Sequence, residues 1–311
     1  MAATIFDRYA VHVCSTRPQN TIIDDIVQIG RSRARGIGVW EGKFAGASHA
    51  EVKSRMDHYG LTATNCLPLI WTILPLPASA KPELRGGLEQ DPAVRTRQIC
   101  ESIPRLAVFE PELIIVGPGV SGDPARPAGP ISAVQEGLHE IAEVAAEHGL
   151  RVGFELLAAR RGCPILDLPE MVSFIDRFGL ENVGVMWDMF HSWSEPDVHE
   201  NLRRYGDRII GVQVTDVRVN ERSHRDRVFP GQGRGVAPEL LATLLEIGYE
   251  GWFELEVFSD DGTFGNNFPD SLWKLEPDDY LRRAEEAYAE TYEAARKILS
   301  RRSAAARPEN A

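Results

Sequence analysis

Eight short apolar, β-branched runs recur along the chain, and each is followed by a stretch with helical periodicity. This alternation constrains the fold more than any other feature. The candidate strands are residues 8–14, 36–40, 61–67, 112–117, 151–157, 182–188, 208–215 and 251–258. Leu113-Ile114-Ile115-Val116 is continuously apolar, as a parallel strand buried on both faces should be. The intervening segments carry helix signals. Ser48 and Glu51 have capping-box spacing, and Asp167-Leu168-Pro169-Glu170 places an acid at the cap and Pro in the first turn. Ile131, Val134, Leu138, Ile141 and Ala145 repeat at helical spacing until Gly149 stops the helix and Leu150-Arg151-Val152 begins a strand.

Alternating β and α units imply a parallel sheet. A length of 311 residues alone suggests about two domains. Eight strands instead fit one closed α/β barrel, a (β/α)8 or TIM barrel, over residues 5–295. An open doubly wound sheet is the rival, but no Gly-x-Gly-x-x-Gly turn follows the first strand, and Gly231-Gln232-Gly233-Arg234-Gly235 falls between strands seven and eight. Residues 304–311 are expected to be a disordered C-terminal tail. Residues 259–279 form a long loop after strand eight, of a length that is often functional.

Composition narrows the function classes. A net charge of −12 repels a phosphate backbone, and the basic stretch 296–307 reads as a solvated terminus, so no nucleic-acid partner is expected. No apolar run approaches the ~18 residues of a membrane span. The start, MAATIFDRYA, lacks a basic region followed by an apolar one, so a cytoplasmic protein without a secretory signal is expected. Cys14, Cys66, Cys100 and Cys163 form no Cys-x-x-Cys pair and are expected to be reduced core or barrel-lining residues. An oligomer is compatible with all of this.

Active sites of such barrels form at the C-terminal strand ends. Strand alternation puts Gly153 and Glu155 on one face, and Val152 and Phe154 on the other, which should meet the helices. By the same parity Gly184, Met186 and Asp188 oppose Val183, Val185 and Trp187, and Gly211 and Gln213 oppose Val212 and Val214. Glu254 and Glu256 oppose Phe253, Leu255 and Val257. Four successive strands thus aim Glu155, Asp188, Gln213 and Glu256 at one point. Three converging carboxylates need compensation, and one divalent cation supplies it; oxygen ligands suit Mn²⁺ or Mg²⁺.

The segments Val152-Gly153-Phe154-Glu155, Val183 to His191, Val212-Gln213-Val214-Thr215-Asp216, Pro230-Gly231-Gln232-Gly233 and Gly251 to Glu256 resemble the xylose isomerase-like barrel superfamily over nearly the whole chain. That superfamily contains sugar isomerases and epimerases, inosose dehydratases and apurinic endonucleases. The resemblance implies Glu155, Asp188, Gln213 and Glu256 as metal ligands and His191 as a substrate contact. The third ligand is commonly His, and the neutral amide of Gln213 favours Mn²⁺ or Mg²⁺ over Zn²⁺. Arg161 stands where ketose 3-epimerases carry a second Glu, and Val219 where they carry an Arg, which argues against a simple ketose 3-epimerase.

Further candidates for contact with a carbohydrate substrate are His12, on the lumen face of strand one, Trp40, whose flat ring suits sugar C–H groups, and Arg161. His12 reads equally as a satisfied core histidine. Trp71 and Trp187 read as packing, Asp216 as a residue that orients a neighbour or caps the loop, and Glu254 as a buried acid one layer below Glu256 that needs a partner. Glu155, Glu256 and His191 are the expected catalytic residues. The expected chemistry is α-proton abstraction from a sugar or keto-sugar through a metal-stabilised ene-diolate, giving isomerisation or epimerisation. The alternative is a lyase acting on a keto-cyclitol or a 3-oxo-glycoside. An apurinic endonuclease would want a His-rich site in a less acidic chain with more than eight histidines. A sugar-binding barrel without turnover would not need both Glu155 and Glu256.

Overall fold

A computed structural model describes residues 4–77, 89–126 and 128–305. Its strands are β1 (Tyr9–His12), β2 (Gly36–Trp40), β3 (Thr62–Leu67), β4 (Leu113–Val116), β5 (Arg151–Glu155), β6 (Val183–Asp188), β7 (Ile209–Val214) and β8 (Phe253–Leu255). They pair in sequence order, all parallel, and β8 returns to β1 through Tyr9↔Phe253, Ala10↔Glu254 and Val11↔Leu255. That last pairing closes the barrel and excludes the open sheet. Among the described residues the helices are α1 (Ile22–Gly30), α2 (His49–Tyr59), α3 (Pro92–Leu106), α4 (Ile131–Glu147), α5 (Leu168–Arg177), α6 (Met189–Ser192), α7 (Val198–Tyr205), α8 (Val236–Glu246) and α9 (Pro277–Ala305). α9 starts inside the segment expected to be loop, at Pro277, and runs to Ala305, past the expected domain end at 295; of the expected tail, residues 306–311 lie outside the described residues. No helix among the described residues is long and apolar enough to cross a membrane.

Local sequence explains the helix entries. Thr21 and Asp24 form a reciprocal capping box at α1, while Ser48 and Asp167 accept the N–H of Glu51 and Glu170 at α2 and α5. The outward residues of the strands, among them Val152, Phe154, Val185, Trp187, Val212 and Leu255, join the helix faces in the main core. The four cysteines are free; Cys66 and Cys163 are buried, Cys14 and Cys100 half-buried.

The lumen is a second, separate layer. Leu67, Leu113, Ile115 and Met186 fill it, with Cys14, Trp40, Trp71 and Ile210 against them. Glycine makes room for these side chains: a Cβ at Gly153 would sit 2.8 Å from Leu113 Cδ1, and one at Gly211 would overlap the Met186 sulfur. Two bulges adjust which side chains enter. Ile37 pairs with Ala63 but Gly38 with Asn65, so Thr64 is the extra residue and the consecutive Thr64 and Asn65 both reach inward. Both bind Glu254: Thr64 Oγ1 donates at 2.7 Å and Asn65 Nδ2 at 2.8 Å. These are the partners that a buried Glu254 requires, and burial still pushes its carboxyl up to about 7.

Near the barrel mouth Lys43, which follows β2, reaches under the β1–α1 loop. Its Nζ donates to Asp25 Oδ2 (2.6 Å), Thr16 Oγ1 (2.8 Å) and the carbonyls of Val13 (2.9 Å) and Arg17 (3.1 Å). Asp25 is fully buried and Lys43 nearly so. Lys43→Met should therefore lower stability by about 3–5 kcal/mol, because it strands the Asp25 charge. Adding Asp25→Leu should recover much of that loss. Urea denaturation of the single and double variants measures both, and a harmless single variant would refute the buried pair.

Candidate active site

The strand ends place their inward side chains as parity demands. Glu155 ends β5, Asp188 ends β6, Gln213 is the penultimate residue of β7, and Glu256 directly follows β8; all four are buried. Asp188 and Gln213 are register partners, and Gln213 Nε2 donates to Glu256 Oε1 at 3.0 Å. The Asp188 carboxylate works at both ends. Its Oδ1 accepts the Phe190 N–H at 2.8 Å, capping α6, and its Oδ2 turns into the site. The α6 turn carries His191, whose Nε2 lies 3.5 Å from Asp188 Oδ2 and 3.8 Å from Glu155 Oε1. Arg160 fixes this turn by donating to the carbonyls of Phe190 (3.0 Å) and His191 (3.2 Å).

A guanidinium group lies among the acids. Arg227 Nη1 donates to Asp188 Oδ2 at 2.9 Å and to Glu256 Oε2 at 2.8 Å. The chain after β7 folds back through an antiparallel bridge, Asp216↔Val228, and the Arg227 N–H donates to Phe258 O at 2.8 Å. The guanidinium carbon lies 4.3 Å from the Phe190 ring centroid and 4.8 Å from that of Phe258. Burial opposes its charge, but Asp188, Glu256 and Glu155 outweigh burial and raise its pKa. Burial raises the Glu155, Asp188 and Glu256 carboxyls; Glu256 and Asp188 push Glu155 further, while Arg227 pulls all three back. Fully ionised, the three carboxylates exceed the one guanidinium by two negative charges, and the raised Glu155 and Glu256 carboxyls, the latter at about 8, hold protons that offset part of this excess at neutral pH. His191 does not offset the excess, because burial, then Arg227 and Arg161, hold it neutral.

Glu155 and Glu256, with Gln213, line the floor of a pocket of about 760 Å³, a size that suits a small molecule; Asp188 is fully buried and does not line it. All three expected substrate contacts line it. The His12 Nδ1 accepts the Cys14 N–H at 3.2 Å, so its buried Nε2, which has no partner among the described residues, carries the hydrogen and is a donor. Burial, with Lys43 and Arg227 nearby, lowers its pKa to about 3 and keeps it neutral. Trp40 and Trp71 line the wall, joined by Trp273, whose Nε1 donates to Ser15 O at 2.7 Å. Trp187 points away into the core, and Asp216 caps the following loop by accepting the N–H groups of Val217 (2.7 Å) and Gly231 (3.1 Å).

The profile of the xylose isomerase-like TIM barrel family matches residues 29–298. The chain belongs to this family. Among its relatives, a 3-dehydroshikimate dehydratase of Pseudomonas aeruginosa is 32% identical over 155 residues, which is 48% of this chain and 24% of that protein. A D-psicose 3-epimerase of Agrobacterium fabrum is 29% identical over 152 residues, 49% of this chain and 50% of that protein. The matches thus span a quarter to half of these relatives. The IolI protein, solved with a bound zinc atom, superposes with a TM-score of 0.72 at 15% identity over 92% of this chain and 98% of its own.

The residues present fit a divalent cation. Among the described residues an oxygen of Glu155 and one of Asp188 lie within 4.8 Å of each other and of a His191 ring nitrogen, while Glu256, whose oxygens accept from Gln213 and Arg227, is not in that cluster. The Gln213 Oε1 is buried and has no hydrogen-bond partner among the described residues. Sequence parity found the carboxylates of this family member but missed Arg227, His224, Arg225 and Trp273, which come from loops.

Arg227→Met should lower the stability of chelator-treated protein by about 3–5 kcal/mol, since it leaves Asp188 and Glu256 facing each other without their shared cation. Chemical denaturation measures the loss. An unchanged midpoint would mean that the guanidinium does not balance these acids.

Proposed function

We propose that this family member is a divalent-metal-dependent enzyme that removes the proton beside a carbonyl in a polyhydroxylated substrate. Glu155, Asp188, Gln213 and Glu256 would hold the cation, Mn²⁺ or Mg²⁺ by the oxygen character of the set. When bound, such an ion supplies Lewis acidity to a substrate carbonyl and its neighbouring hydroxyl. The observation that carries the reading is the excess of acids: three carboxyl groups against one guanidinium, with an unpartnered amide oxygen beside them, at a pocket sized for a sugar.

The two glutamates are not equivalent. Both Glu256 oxygens accept hydrogen bonds, from Gln213 and Arg227. The Glu155 carboxylate accepts none among the described residues, and its nearest ion-pair partner is the neutral His191 at 3.8 Å. This supports Glu155 as the base and Glu256 as an anchored ligand. In the proposed step the C–H bond breaks, Glu155 takes the proton, and the electron pair moves towards the carbonyl oxygen. His191 and His12 would orient substrate hydroxyls, and the rings of Trp40 and Trp71 would exclude water and pack against C–H groups.

Glu155 can then return its proton to the adjacent carbon, with a proton passing from the neighbouring hydroxyl to the former carbonyl oxygen, which is isomerisation. It can instead return it to a departing β-hydroxyl, which leaves as water with a new C=C bond. We favour the elimination, a lyase reaction, because the dehydratase stretch matches at 32% identity. Isomerisation or epimerisation is the second reading, supported by the likeness to the D-psicose 3-epimerase.

Glu155→Gln should lose at least about 100-fold in turnover, and it should not exchange solvent deuterium into a panel of ketoses, inososes and 3-keto-glycosides. His191→Ala should keep normal metal content while kcat or KM suffers. Wild-type rates in Glu155→Gln would refute the base. Gln213→His should shift the metal retained after dialysis against mixed ions towards Zn²⁺, because imidazole is the softer ligand. An unchanged Mn²⁺-to-Zn²⁺ ratio would remove residue 213 from the ligand set.

A further inference from the structure

The pocket lining carries both signs of charge. Its floor is acidic, while Arg161, His224, Arg225 and Arg227 line the same space. Arg227 is committed to Asp188 and Glu256, and Arg160 to the α6 carbonyls. Arg161 and Arg225 are not: neither makes an ion pair among the described residues. The acid nearest Arg161 in electrostatic effect is Glu155, and its larger influences are the cations Arg225 and Arg227. The acid acting on Arg225 is Asp260. That carboxylate is occupied by the N–H groups of Gly262 (3.1 Å), Phe264 (2.9 Å) and Asn266 (2.8 Å).

Both guanidinium groups stand on fixed supports. Arg161 closes a turn whose next residue, Gly162, has φ +76°, and a Cβ there would lie 2.5 Å from Asp123 O. The Arg161 carbonyl accepts the Gly122 N–H at 2.8 Å, and its own N–H donates to Ala158 O at 2.9 Å. Arg225 lies over the Phe264 ring, 4.3 Å from its centroid, and its Nε donates to His224 Nε2 at 3.1 Å. Burial, with Arg161, Arg225 and Arg227, lowers His224 to about 3, so it adds a neutral imidazole and no charge. Two like charges brought together in a half-enclosed space, without a protein anion, repel each other unless a ligand supplies the counter-charge.

We infer that Arg161 and Arg225 form an anion-recognition part of the pocket, and that the substrate carries a carboxylate or phosphate group that pairs with them. This inference rests on the proposed function for the orientation of the substrate, and it narrows the substrate class to polyhydroxy acids or phosphorylated sugars. The two signs of charge would orient the ligand, because reversing it would set its anion against Glu155, Asp188 and Glu256.

The test compares matched probes on the intact Mn²⁺-equilibrated protein by calorimetry or by quenching of the pocket tryptophans. The pairs are D-glucuronate with D-glucose, D-gluconate with D-glucitol, and D-glucose 6-phosphate with D-glucose. At least one anionic probe should bind about tenfold more tightly than its neutral partner. The pair with the larger ratio identifies carboxylate or phosphate as the recognised group. Arg161→Gln, and separately Arg225→Gln, should erase that ratio by weakening the anionic probe more than its neutral partner, with the bound Mn²⁺ unchanged. Equal binding within every pair, no binding of any anion at millimolar concentration, or an unaltered ratio in both variants would overturn the inference. Mn²⁺ content and deuterium exchange are read separately, so failure of the metal-dependent reading is distinguishable: it would abolish those signals and leave the anion preference of the metal-free protein intact.

Discussion

The constraint on which the rest of this structure depends is the meeting of Glu155, Asp188 and Glu256 at one end of the barrel. Like charges brought out of water repel strongly, and each has also lost its hydration. Arg227 answers part of that cost. Its guanidinium reaches two of the acids with one nitrogen and lies between the rings of Phe190 and Phe258. The remaining imbalance is left facing the pocket. A fold that balanced it completely with two further arginines would have a stable floor and nothing with which to bind a cation.

The barrel makes this arrangement rigid by the way it fills its lumen. Large side chains at Leu113 and Met186 occupy the space above Gly153 and Gly211, so the layer under the acids is dry and close-packed. Glu254 is the exception in that layer. Thr64 and Asn65 satisfy it only because a bulge in β3 turns two consecutive residues inward. The deeper acid is therefore a hydrogen-bonded part of the scaffold, whereas Glu155, one layer higher on another strand, keeps its oxygens for the pocket. Layer position, more than residue type, separates the hydrogen-bonded carboxylate from the one left open to the pocket.

Much of this was legible in the sequence because its signals are local. A period of two, read on four segments, places Glu155, Asp188, Gln213 and Glu256 on the lumen face, and the glycines two residues before Glu155 and Gln213 mark the same face. The strand–helix alternation gave the eight-fold order, and closure needed only the pairing of β8 with β1. The parts that were not legible depend on contacts between distant loops. Arg227 lies 29 residues before Glu256, and no local pattern says that the β7–α8 loop doubles back along its own strand. Thr64 and Asn65 became partners of Glu254 through a register shift, which periodicity cannot report. The half-satisfied state of His12 also needed coordinates, since one of its ring nitrogens is used by Cys14 and the other is not.

The origins of the two charge signs bear on how such a site can be adapted. Every acid at the floor comes from a strand or from the residue directly after one, so its position is set by the barrel hydrogen bonds. The cations come from loops: Arg161 from the turn after β5, Arg225 and Arg227 from the long β7–α8 connection. Strand positions hold geometry within tight limits, while loops tolerate exchange of side chains and lengths. Proton abstraction requires the first property and substrate choice the second. Where the ketose 3-epimerase pattern has a Glu, this chain has Arg161, and one substitution of that kind reverses the charge offered to a ligand without moving any of the four residues at the strand ends. The barrel frame can thus keep one half-reaction while its loops select which molecule undergoes it.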